Sequence, residues 1–111
     1  YAALATLLTR AGDEAGARRA SADAERRRTQ EQRDRAAVVM TAVGVARLDA
    51  GEADAARERF TAAIAAADAY APAYYHLGRA LHRLGRVDDA RRAFERARAL
   101  NPSLVSPLEE R

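Results

Sequence analysis

Residues recur along this chain at a fixed offset of 34: Gly44 and Gly78, Gly51 and Gly85, Ala56 and Ala90, Phe60 and Phe94, Ala63 and Ala97. Large apolar residues follow the same spacing, with Met40 matched by Tyr74 and Val43 by Leu77. A period of about 34 residues is the length of a helix–turn–helix unit, which cannot bury its apolar face alone and therefore stacks on its neighbours. This one feature rules out most folds before composition is considered.

The pattern inside the repeat is helical. Tyr74, Leu77, Leu81 and Leu84 form a stripe at helical spacing. Gly44, Ala56, Gly78 and Ala90 are small enough to let two antiparallel helices approach closely. Gly12, Gly51 and Gly85 follow the first helix of each pair, where a left-handed residue ends a helix cheaply. Asn101-Pro102 stops the last helix, because proline disfavours helix for the residue before it. Hydrophobic residues make up 49 % of the chain but aromatics only 5 %, so much of the apolar content is alanine. Alanine is the best helix former, and strand-type alternation is scarce, so the expected class is all-α.

The unit 71–104 resembles the tetratricopeptide repeat family. Its first helix carries Tyr74-x-x-Leu77-Gly78-x-x-Leu81 and its second Ala90-x-x-x-Phe94-x-x-Ala97, with Pro102 closing it. The unit 37–70 keeps Val43-Gly44, Ala56, Phe60 and Ala63, and departs at Arg47 and Asp68, where the family favours a large apolar residue and proline. The resemblance implies a right-handed superhelical solenoid of antiparallel helix pairs, with about three repeats.

A degenerate first repeat is expected over 1–36. Tyr1, Leu4, Ala5, Leu8, Gly12 and Ala17 sit at the family's spacing, while Ser21 replaces the large aromatic of the second helix. Gly12 lies five residues further from Gly51 than one period, which places the surplus between Ala24 and Ala36. Within it, residues 26–35 hold no large apolar residue, and Asp23 with Arg27, Arg27 with Glu31 and Glu31 with Arg35 are spaced as i,i+4 pairs. They read as a solvated extension of that second helix. At the other end, Ser106-Pro107-Leu108-Glu109 has the form of a helix start, so 105–111 is expected to open a capping or next-repeat helix. The chain begins at Tyr1 rather than Met, as a processed or excised piece of a longer repeat protein would.

Catalytic chemistry finds little support. All 19 basic residues are arginine, a composition typical of high-GC bacterial genomes. With no cysteine there is no disulfide, thiolate metal site or thiol nucleophile, and neither side of a membrane is favoured. His76 and His82 are six apart and do not chelate as an i,i+4 pair does. They read as surface histidines. The serines lack a neighbouring base, and each glycine has a packing or helix-ending role rather than a phosphate-cradling one. The expectation is a chain that is not an enzyme and has no cofactor and no metal. No apolar run approaches the ~20 residues of a membrane span.

The resemblance implies a concave groove lined by the first helices. On this chain it assigns Tyr75, His76, Arg79, His82 and Arg83 from one repeat and Thr41, Val45 and Leu48 from the other. Some family members clamp a terminal carboxylate with groove Lys and Asn, and neither is present at those positions here. The repeat 71–104 carries net charge +4 and 37–70 net −2, which would orient an acidic protein or peptide partner. The leading expectation is a protein-interaction scaffold. A self-assembling alternative stacks copies head to tail through Leu77, Ala80, Leu84, Leu100 and Leu108 on one side and Tyr1, Leu4 and Leu8 on the other. A nucleic-acid-binding helical repeat is disfavoured by the acidic middle repeat and the modest net charge of +3.

Overall fold

The computed structural model describes residues 2–104, with side chains described from residue 9 onward. Four α-helices succeed one another: α1 (Ala2–Asp49), α2 (Ala53–Ala66), α3 (Ala71–Arg83) and α4 (Val87–Leu100). There is no strand among the described residues. The chain divides into two units, Tyr1–Gln32 and Arg33–Arg111.

The first unit is helix throughout its described residues. Between residues 9 and 32 every side chain is exposed except the half-buried Ala15 and Ala24. Local pairs support it: Arg18 lies 4.0 Å from Glu14, Arg26 pairs with Asp23, and the Thr29 hydroxyl donates to the Glu25 carbonyl at 3.0 Å. This differs from the helix hairpin expected over 1–36. Gly12 does not end a helix, because α1 runs on through it to Asp49. Positive φ among the described residues is confined to Gly51 and Gly85, and a β-carbon added at Gly12 or Gly16 would meet nothing within 4 Å. The physical reason lies in the residues on the C-terminal side of Gly12. A second helix needs a large side chain to seat on the first, and Ser21 cannot supply it. Residues 17–43 hold neither glycine nor proline, so helix simply propagates. The polar stretch 26–35 is solvated as expected, but within α1 rather than in the second helix of a pair.

The second unit contains the repeats. The end of α1 with α2, and α3 with α4, form two helix pairs whose turns are copies of each other. Glu52 N–H donates to the Arg47 carbonyl at 2.9 Å and Gly51 N–H to Leu48 at 3.0 Å. Thirty-four residues later, Arg86 donates to Leu81 and Gly85 to His82 at the same distances. These are the two bonds of a Schellman motif, and they require a left-handed residue at the helix end. Gly51 and Gly85 provide it, with φ of 84° and 80°. Usually an apolar contact ties such a motif across its ends; in the first turn an Arg47–Glu52 ion pair of 3.1 Å spans those two positions. The departure at Asp68 is tolerated because the turn keeps its backbone bonds: Ala67 to Ala63 and Tyr70 to Ala67 repeat as Asn101 to Ala97 and Leu104 to Asn101. The Tyr74 hydroxyl also donates to the Asp68 carbonyl at 2.9 Å.

Each pair closes on a glycine facing a phenylalanine. A β-carbon on Gly44 would run into the Phe60 ring, and one on Gly78 would lie 2.7 Å from the Phe94 ring. Three small clusters make the core. Ala37, Ala63, Ala67 and Ala73 form one, with Met40, Ile64 and Tyr70 packed against it. Leu48, Ala56, Phe60 and Ala80 form the next, and Leu81, Ala90, Ala93 and Phe94 the last, with Leu77 touching both. The second cluster draws on α1, α2 and α3, so it belongs to both repeats. The closing stretch 105–111, including Leu108, lies outside the described residues.

Candidate functional site

Of the α3 residues expected to line a groove, Tyr75 and Arg79 both touch His76. His76 is half-buried, its ring stacked on Phe60 with centroids 5.8 Å apart and an interplanar angle of 25°. Tyr75 meets His76 edge-on at 5.3 Å and Phe94 at 5.6 Å. An Arg79 guanidinium nitrogen lies 3.2 Å from His76 Nδ1. Burial and the Arg79 charge together lower the His76 pKa, while Asp49 at the end of α1 acts in the opposite direction. His76 is therefore not a bystander on the surface. It belongs to the joint between the two repeats, which its spacing from His82 gave no reason to expect.

Arg83 crosses that joint. Its Nη1 donates to the Leu48 carbonyl at 2.6 Å, 35 residues away in sequence. The acceptor, in the last turn of α1, already takes the Gly51 N–H, and Arg83 uses its second lone pair. Neither Arg79 nor Arg83 forms an ion pair with an acid among the described residues; those pairs involve other arginines. Arg83 and His82 are exposed and Arg79 is half-buried.

The groove residues expected from α1 are less available. Leu48 is 0 % exposed, filling the cluster between α1, α2 and α3, so it cannot touch a partner. Thr41 is 5 % exposed, and its hydroxyl has no hydrogen-bond partner among the described residues. Val45 is half-buried against the same cluster as Leu48. Of the residues expected to line a groove, His82 and Arg83 keep exposed side chains, and Tyr75, His76, Arg79 and Val45 half-buried ones.

The expected end-to-end surface also changes. Ala80 is fully buried and Leu77 half-buried, both packed on the preceding helix pair rather than awaiting a following one. Leu84 and Leu100 are half-buried; Leu84 borders an open cleft that Arg47, Glu52, Asp54 and Arg83 also line. Tyr1 and Leu108, and the side chains of Leu4 and Leu8, lie outside what is described. Long as α1 is, no described helix is both long and apolar enough to cross a membrane.

A family model described as tetratricopeptide repeat matches residues 47–106, more than half of the chain. No curated protein matches the sequence significantly. Repeats of this kind are in general protein–protein interaction modules and typically serve as non-enzymatic scaffolds. Paired helices, left-handed glycine turns and glycine–phenylalanine contacts at a 34-residue period agree with that match, and the chain belongs to the tetratricopeptide repeat family.

Proposed function

We propose that this chain is an interaction module that holds an acidic peptide or protein segment in the groove beside α3, with Arg79 and Arg83 as its cationic contacts. The observation that carries the reading is the state of these two side chains. Each is held by a neutral neighbour, Nδ1 of His76 or the Leu48 carbonyl, and neither forms an ion pair with a carboxylate among the described residues. A guanidinium has five N–H donors, so an internal bond leaves donors to meet a carboxylate. Fixing the side chain beforehand lowers the entropy lost on binding. Tyr75 adds an aromatic surface beside them.

The test compares two labelled peptides that differ only in Glu against Gln, binding to the intact chain at low and at high salt. The Glu peptide should bind more tightly, and added salt should weaken it more. Arg79→Gln should weaken the Glu peptide about tenfold, corresponding to ~1.4 kcal/mol, and leave the Gln peptide little changed. Equal binding of both peptides, or an Arg79→Gln variant indistinguishable from the parent, would refute the acidic-partner reading.

A further inference from the structure

Three of the four large hydrophobic residues that are exposed among the described side chains fall within six positions of α1: Val38, Val39 and Val43, at 49 %, 60 % and 38 %. The repeat itself says what such a face is for. Thirty-four residues on, Val39, Val43 and Ala46 correspond to Ala73, Leu77 and Ala80 of α3. There, Ala73 and Ala80 are both 0 % exposed and Leu77 is half-buried, because α2 lies over them. Ala73 packs with Ala63 and Ala67, and Ala80 with Ala56 and Phe60, so α2 runs antiparallel to α3. On α1 the same three positions, Val39, Val43 and Ala46, are apolar and exposed among the described residues.

We propose that the stripe Val39, Val43 and Ala46 is a docking surface for an antiparallel helix of another protein, one presenting an uncharged, alanine-rich face like that of α2. Neither α4 nor residues 13–28 of α1 supplies such a face. On α4, Arg98 and Asn101 stand where α2 has Ile64 and Ala67, and both are exposed. A second copy stacking through α4 would thus press a guanidinium into the valines, at the cost of desolvating it. Residues 13–28 fare no better: with the five-residue shift allowed for, Glu25 and Arg28 fall at the Ile64 and Ala67 positions. An uncharged helix face loses nothing on burial and fills the groove between the valines as α2 fills that on α3. This surface is separate from the Arg79–Arg83 groove, and the two readings stand or fall independently.

The probe is a helix-stabilised peptide with the sequence of residues 53–70, added to the intact, isotope-labelled chain and followed by amide chemical shifts. Saturable shifts centred on residues 38–50 are expected. Val43→Glu in the chain should weaken binding at least tenfold, and so should Ile64→Glu in the peptide, while Arg79→Gln should leave it unchanged. Val39→Glu serves as a second variant; both valines are exposed, so the parent melting curve should be kept, and a retained curve with lost binding supports the proposal. Absence of saturable shifts overturns it. Shifts centred on α3, meaning that the peptide displaces α2, overturn it as well. So does sedimentation of the chain as a dimer that Val43→Glu dissociates, which would make a second copy the occupant.

Discussion

His76 shows how one side chain can couple stability to pH. Its imidazole lies between Phe60 and Tyr75, where the charged form loses hydration, and Arg79 opposes the same charge. Asp49 offsets part of this but not all, since the net direction is downward. The unfolded chain therefore takes up a proton at His76 at a higher pH than the folded chain does. Between the two pKa values the unfolded state binds more protons, so stability rises with pH in that window. The contribution is complete above the ordinary histidine pKa of about 6.5 and is lost as pH falls from there toward the lower folded value. The melting temperature should accordingly fall by a few degrees between neutral pH and mildly acid conditions above the carboxylate range. His76→Gln should lower the melting temperature at neutral pH, by removing the stack, yet flatten its slope with pH. A variant that keeps the parent slope would show that another group is responsible.

Among the elements, α1 is where sequence and structure part most clearly. The turns at Gly51 and Gly85 were legible because the same residue recurs at the same offset between two apolar stripes, and the glycine–phenylalanine contacts because both partners recur together. Gly12 carries the same symbol without the same context. A glycine inside a helix costs only ~1 kcal/mol relative to alanine, so it ends a helix only when a second helix has somewhere to pack. Ser21 in the aromatic position removes that incentive. Burial at Leu48 was illegible for a different reason. Its counterpart His82 is exposed, although the two occupy the same place in the repeat. Leu48 has a following repeat over it, and a period read from sequence does not distinguish an inner repeat from an outer one. The Arg83 bond to a backbone carbonyl leaves no mark in sequence at all. The helical stretch 9–32 buries almost nothing, which marks it as a segment of low local stability. Brief trypsin treatment should therefore cut first within the exposed run Arg26 to Arg28, well before Arg57 or Arg79 in the packed unit. First cuts at Arg57 or Arg79 would contradict the burial pattern.

At the scale of the whole packed unit, the question is whether the two helix pairs unfold together, and the two phenylalanines provide the means to ask it. Both face a glycine within their own pair, and both are almost fully buried. Their surroundings differ. Phe60 lies in the cluster with Leu48, Ala56 and Ala80 and stacks on His76, so it touches α1 and α3 as well as its own helix. Phe94 packs with Leu81, Ala90 and Ala93 and meets Tyr75, all within the last pair. Truncating either leaves a cavity and costs roughly 3–5 kcal/mol locally. In a stacked-repeat protein the stability is approximately a sum of repeat and nearest-neighbour interface terms. Phe94→Ala removes mostly the first kind for the terminal repeat, while Phe60→Ala removes both kinds at once. Hydrogen exchange should then separate them. In Phe94→Ala, protection should fall in α4 and the end of α3 while α2 keeps most of its own. In Phe60→Ala, protection should collapse in α2, α3 and α4 alike, because α3 loses the neighbour on which it is stacked. Equal, global loss in both variants would mean that the unit unfolds as a single cooperative block, and that the joint formed by Phe60, His76 and the Arg83–Leu48 bond is too strong to let the last pair open alone.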